Sequence, residues 1–171
     1  MKTLILSSSL SKSSRSFILC NEVFKTLLKK GVDCTIVDAR NIPMRPTHNE
    51  LTAEMEILAE QIEETDNIII GMGVHRYSVN DSLKILLDTC FEKANGKFYA
   101  ILCAAGGEKS YLSTMHLTQI CMNEWRMIQL PRIVYATGKD FEEYIISSTE
   151  LLERIELFSE EFHLIGNKLL V

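Results

Sequence analysis

No stretch of the 171 residues holds an apolar run long enough to span a bilayer. The short run Leu4–Leu6 behind Lys2 is too brief for a secretion-signal core. Cysteine is sparse and unpaired in pattern: Cys20, Cys34, Cys90, Cys103 and Cys121 make an odd five with no C-x-x-C. That argues against a disulfide framework or a thiolate metal site. It leaves free thiols in a reducing, cytoplasmic setting as the expectation. His48, His75, His116 and His163 form neither H-E-x-x-H nor any paired metal spacing, so no metal is expected. No G-x-S-x-G marks a hydrolase nucleophile. No G-x-G-x-x-G marks a Rossmann site either, since Arg76 stands where the third glycine after Gly71-Met72-Gly73 would fall. Positive charge is also short: the net charge is −5, and no Lys or Arg lies between Pro46 and His75. Nucleic acid and anionic membrane surfaces are therefore not expected partners. Glu50, Glu54, Glu56, Glu60, Glu63, Glu64 and Asp66 fill that gap, and a second acidic stretch runs from Asp140 to Glu161. Both read as solvated helix faces.

What is present alternates between two periods. Thr3–Leu6, Cys34–Val37, Ile68–Gly71 and Phe98–Cys103 are strand-length apolar runs, and a fifth lies within Ile128–Tyr135 around Pro131. Helical spacing separates them. Phe17, Val23, Phe24, Leu27 and Leu28 form one stripe, and Leu51, Met55, Leu58 and Ile62 a second. Leu83, Leu86, Leu87, Cys90 and Phe91 form a third, and Tyr111, Met115, Ile120 and Trp125 a fourth. A last helix carries Leu151, Ile155, Phe158 and Phe162 and opens at the capping box Ser147–Glu150; Ser78–Asp81 reads as another such box. Strand and helix repeated five times predict one doubly wound parallel α/β domain over residues 1–171.

Ligands of such sheets bind beyond the carboxyl ends of the strands, near the switch in strand order. Three loops leave such ends. After the first strand, seven serines from Ser7 to Ser16 are interleaved with Lys12 and Arg15 and run into a helix. Hydroxyls, backbone N–H groups and a helix N-terminus make a phosphate cradle that needs no metal; a solvated serine-rich turn is the plainer alternative. After the third strand comes Gly73-Val74-His75-Arg76-Tyr77-Ser78. After the fourth, Ala104-Ala105-Gly106-Gly107 lets backbone approach a flat ring.

These three segments resemble the motifs of the NADPH-dependent FMN reductase family, flavodoxin-like proteins that include azo-dye, quinone and chromate reductases. The family's G-S-L-R-x-G-S-x-N corresponds to Ser8-Ser9-Leu10-Ser11-Lys12-Ser13-Ser14-Arg15-Ser16. Its P-E-Y-N-x-S-x-P-x-x-L-K corresponds to Gly73–Lys84. Serines replace the loop glycines at Ser8 and Ser13, Ser16 replaces the Asn, and Gly73-Val74-His75 replaces P-E-Y.

The resemblance implies a flavodoxin-like five-stranded parallel sheet of order 2-1-3-4-5 with helices on both faces. It implies FMN held at its phosphate by Ser9, Ser11, Ser14, Arg15 and Ser16. Gly73, Val74, His75, Arg76, Tyr77, Ser78, Ala105, Gly106 and Gly107 would line the ring. The implied activity is NADPH- or NADH-driven reduction of a small acceptor (flavin, quinone, azo compound or metal ion) by a cytoplasmic homodimer or homotetramer. No side chain would act as acid or base. A cation at His75 or Arg76 near the ring's N1–C2=O edge would stabilise the reduced anion; solvent-facing side chains are the alternative. Tyr111, Met115 and Trp125 serve either a subunit contact or the core. A flavodoxin-type electron carrier and a flavin-free binding module on the same fold remain the rival readings.

Overall fold

The computed structural model describes residues 1–170. In chain order its elements are β1 (Lys2–Ser7), α1 (Arg15–Lys29), β2 (Asp33–Asp38), α2 (Ala53–Glu64), β3 (Asn67–His75), β4 (Ser78–Val79), α3 (Asp81–Cys90), β5 (Phe98–Ala104), α4 (Thr114–Trp125), β6 (Ile128–Gln129), β7 (Val134–Ala136), β8 (Phe141–Glu142), β9 (Ile145–Ile146) and α5 (Thr149–Lys168). The parallel sheet runs β2-β1-β3-β5, and β6 and β7 share the far edge beside β5. Position by position this is the expected 2-1-3-4-5 order. Its fifth place is split where Pro131, which has no N–H for a ladder bond, interrupts the strand. No helix among the described residues is long and apolar enough to cross a membrane.

The apolar runs are continuous because both sheet faces are buried. Leu4, Leu6, Ile68, Ile70, Met72, Tyr99, Ile101 and Cys103 pack with residues of α2, α3 and α4 on one side. Ile5, Ile69, Phe98, Ala100 and Leu102 pack with residues of α1 and α5 on the other. This is the period-2 alternation of a strand expressed on two apolar faces. Gly71 makes the closest approach: a Cβ there would sit 2.2 Å from Cys20 Sγ. Close seating of α1 on β3 thus depends on a residue without a side chain, and it fixes where the N-terminus of α1 ends up.

Helix starts follow local chemistry. Ser14 caps α1 by accepting from Phe17 N at 3.1 Å, and Thr52 caps α2 by accepting from Met55 N. Two capping expectations are corrected. Helix α5 is capped by Ser148, one residue beyond Ser147. Ser78 caps nothing: it pairs with His75 in the β3–β4 hairpin, and Asn80 takes the N-cap position of α3. The fourth helix begins later than its apolar spacing suggested, because Glu108–Ser113 is a 3-10 turn. Trp125 is core, whereas Tyr111 and Met115 are exposed.

Candidate functional site

The carboxyl ends of β1, β3, β5 and β7 open into a cleft of two adjoining lobes that share Val74 and Gly106. The first, of about 720 Å³, is lined by Ser9, Ser11, Ser13, Ser14, Arg15, Ser16, Gly73, Val74, His75, Ala105 and Gly106 among others. The second, of about 810 Å³, takes in Arg76, Tyr77 and Gly107, together with Lys109 and Lys139. Of the residues singled out from sequence, only Ser78 lines neither lobe. Its Oγ meets His116 Nδ1 at 2.9 Å instead.

The first lobe is a set of donors around the start of a long helix. Ser14 Oγ already accepts from Phe17 N and lies 3.0 Å from Ser16 Oγ. Ser11 N donates to Ser9 Oγ, which folds the loop back on itself. Arg15 has no carboxylate partner among the described residues. Its guanidinium lies 5.7 Å from the centre of the Phe141 ring, and the bare Cα of Gly138 leaves it room. Among the described residues the one carboxylate on the lobe's wall is that of Glu143, which arrives with Tyr144 on the β8–β9 hairpin. Gly73, Gly106 and Gly107 form an open floor, since a Cβ on any of them would meet nothing within 4 Å.

This donor set fits FMN. Five hydroxyls, a helix N-terminus and an unpaired guanidinium suit a phosphomonoester. The bare glycine floor suits a flat ring system. No cysteine lines either lobe among the described residues, and burial pushes the Cys103 thiol, in the strand beneath, up to about 12. Cys20, under α1, is pushed to about 12 for the same reason.

Sequence reasoning missed the group that holds the cleft together. Asn80, 1% exposed, accepts from Ser8 Oγ and from Gly73 N, each at 3.0 Å. Its Nδ2 donates to Ser8 O at 3.1 Å and to Ser82 Oγ at 2.8 Å. The single Ser8 hydroxyl proton is shared between Asn80 Oδ1 and Gly71 O, and Ser82 Oγ donates to Ser8 O. One buried amide therefore latches the serine loop to the loop after β3, with every polar group satisfied. On the opposite wall the Tyr135 hydroxyl donates to Gly107 O, and Tyr111 packs edge-on against the Tyr135 ring.

The rim of the second lobe is strained. Arg76 and Tyr77 form the two-residue turn between β3 and β4, both left-handed at φ 51° and 61°. Such turns favour Asn-Gly, so nothing in the sequence announced this one. It holds both side chains out in solvent, with Tyr77 65% exposed.

The family described as NADPH-dependent FMN reductase matches residues 1–142. An NADH-dependent FMN reductase, SfnF, from Pseudomonas fluorescens is 34% identical over 123 residues, which cover 71% of this chain and 66% of that one. An NADPH FMN reductase from Pseudomonas aeruginosa is 28% identical over 165 residues, covering 93% of this chain and 89% of that one. Among solved structures, an oxidoreductase from Corynebacterium diphtheriae superposes with a TM-score of 0.80 at 19% identity, covering 98% of both chains. The chain belongs to the NADPH-dependent FMN reductase family and is an FMN-dependent oxidoreductase supplied with hydride by NAD(P)H.

Proposed function

We propose that FMN sits with its phosphate in the serine loop of the first lobe and its ring over the glycine floor, one face open to a small electron acceptor. The observation that carries this is the convergence in one lobe of the serine hydroxyls, the α1 N-terminus and unpaired Arg15, beside a floor with no side chains. Bound FMN supplies the hydride acceptor and electron store. The chain's residues bind and orient. Ser9, Ser11, Ser14 and Ser16 donate to phosphate oxygens, and Arg15 balances their charge. Gly73, Val74 and His75 line one edge of the ring, and Ala105, Gly106 and Gly107 the other. Asn80 keeps the two loops in register. His75 lines the first lobe, and its Nδ1 lies 3.4 Å from Asp81 Oδ1 with both side chains exposed. Ser78, which lines neither lobe, is left out of this assignment, and so are Arg76 and Tyr77, which line the second lobe and not the first.

Exposed Tyr111, Leu112 and Met115, next to the second lobe, form the face on which a second copy would close the cleft. Five free cysteines suit a reducing cytoplasm. The purified protein mixed with FMN should show bound-flavin absorbance and then oxidise NAD(P)H continuously when a quinone or azo acceptor is added. Flavin binding without nucleotide oxidation would make the protein an electron carrier. Failure to bind FMN would make it a flavin-free module on this fold.

A further inference from the structure

We propose that the groove between α1 and the β8–β9 hairpin takes the adenosine half of FAD, so that the protein accepts the dinucleotide flavin as well as FMN. The proposal rests on the reading above, since it presumes the flavin's first phosphate in the serine loop. The groove holds about 510 Å³, inside the roughly 300–1,000 Å³ range of small-molecule sites. It adjoins the first lobe at the phosphate end, where Ser14 and Tyr144 line both cavities. The second lobe adjoins at the ring end instead, through Val74 and Gly106. From Ser14 the groove continues past Ile18, Asn21 and Lys25, which follow at helical spacing along one flank of α1. Ile146 of the hairpin and Leu152 of α5 form its other side. FMN ends at its phosphate. FAD continues from that phosphate into a second phosphate and an adenosine, and this groove is the cavity next to that end.

The groove's cations divide into two kinds. Lys12 lines the groove and not the first lobe, and it has no ion-pair partner among the described residues. Its ammonium is free for a second phosphate, which FMN lacks. Lys25 is answered by Glu22 at 3.3 Å. Arg40 is answered too: its Nε donates to Asp38 Oδ2 at 2.8 Å, and its Nη2 donates to the same oxygen. A guanidinium with its edge occupied still offers its face. Arg40 lies over the Phe17 ring, 4.5 Å from the centroid, and both line the groove. Together they make a flat wall of the kind on which a purine stacks. Tyr144, 68% exposed at the hairpin tip, offers a second ring. The Asn21 amide brings both donors and an acceptor for a base edge or a ribose hydroxyl. The hairpin wall is fixed at its base, where Ser147 N donates to Asp140 O at 2.9 Å. One unpaired cation beside the phosphate lobe, followed by stacking surface and apolar sides, is the order of groups in an adenosine phosphate.

Flavin fluorescence titrations of the apo protein with FAD and FMN test this. Wild type should bind FAD within about tenfold of FMN, and chromatography of the bound flavin should return FAD intact. Lys12→Ala should weaken FAD by about tenfold or more, the worth of one charge-assisted hydrogen bond, and leave FMN within about twofold of wild type. Lys12→Glu should widen that difference, because a carboxylate then faces the second phosphate. Wild type also tests the idea without mutation: 5′-AMP should raise the apparent Kd for FAD and leave that for FMN unchanged. The proposal is overturned if wild type binds FAD more than about tenfold more weakly than FMN, or if the bound flavin is recovered as FMN. It is equally overturned if the Lys12 substitutions change both flavins alike or neither, or if 5′-AMP does not discriminate between them. The FMN arm keeps the two readings apart. A wild-type protein that takes up no FMN sinks the proposed function and this inference with it, whereas one that binds FMN and fails with FAD sinks only this inference.

Discussion

Asn80→Ala is the sharpest perturbation of the cleft. The substitution deletes four hydrogen bonds, each worth roughly 0.5–1.5 kcal/mol net, but the four losses are not equal. Ser8 Oγ keeps Gly71 O as an acceptor, and Ser8 O keeps the Ser82 hydroxyl as a donor. Only Gly73 N–H loses its sole partner. Leaving one donor unsatisfied costs about 1–3 kcal/mol. The missing amide adds a small cavity, worth about 1 kcal/mol on the usual scaling. Together these predict a loss of about 2–4 kcal/mol.

Denaturant melts of the apo protein give this number directly. Gly73→Pro attacks the same bond from its other end by deleting the N–H, and the Asn80→Ala/Gly73→Pro double variant should be less unstable than the two losses added. Because the latch sets the distance between phosphate loop and ring loop, Asn80→Ala should weaken FMN and riboflavin alike. The reasoning fails if stability drops by less than about 1 kcal/mol, or if FMN affinity falls while riboflavin affinity does not.

Arg15→Ala should have the opposite ligand signature: FMN weakened by about tenfold or more from the loss of a charge-assisted bond, riboflavin nearly unaffected, as fluorescence titration of both ligands will show. Gly106→Val should leave the apo melting temperature close to wild type, because its Cβ meets no atom within 4 Å, yet should block flavin uptake by filling the floor. Alkaline pH should destabilise the fold. Burial pushes the Cys20, Cys103 and Cys121 thiols from 9.0 up to about 12 and raises Tyr99 as well. The unfolded chain therefore releases these protons first, and stability is full below pH 9 and drains away between pH 9 and 12. Melts under reducing conditions that stay flat up to pH 11 would contradict that.

The sheet was legible because burial on both faces writes itself as uninterrupted apolar runs, such as Ile68-Ile69-Ile70. The serine loop was legible because polar residues that donate to a ligand also sit in series along the chain. What escaped reading has a common physical cause: it depends on partners distant in sequence or on turns without turn residues. Ser78 looked like a cap because Asp81 follows at the right spacing, but pairing with His75 draws it into a hairpin and moves the helix start to Asn80. Glu143 and Tyr144 read as part of an acidic surface stretch. They reach the first lobe only because β8 and β9 pair through a turn that has no Gly or Asn. Lys109 and Lys139 lie thirty positions apart and share a lobe only because β5 and β7 end side by side.

The departures from the family motifs also make sense only in three dimensions. The motif carries proline at the places of Gly73 and Asn80 and glycine at the place of Ser8. A proline at 73 would have no N–H to donate, and a proline at 80 no amide to receive it. This chain has replaced both together, and Gly73 N now donates to Asn80 Oδ1 at 3.0 Å. The same Oδ1 accepts from Ser8 Oγ, which a glycine at that position would lack. Neither Ser8 nor Ser13 adopts a left-handed φ, so neither position needs glycine's freedom here. Three substitutions that look in sequence like separate erosions of a flavin motif thus form one buried hydrogen-bond cluster. Its effect is to hold the serine loop and the ring loop at a fixed separation by side-chain bonds.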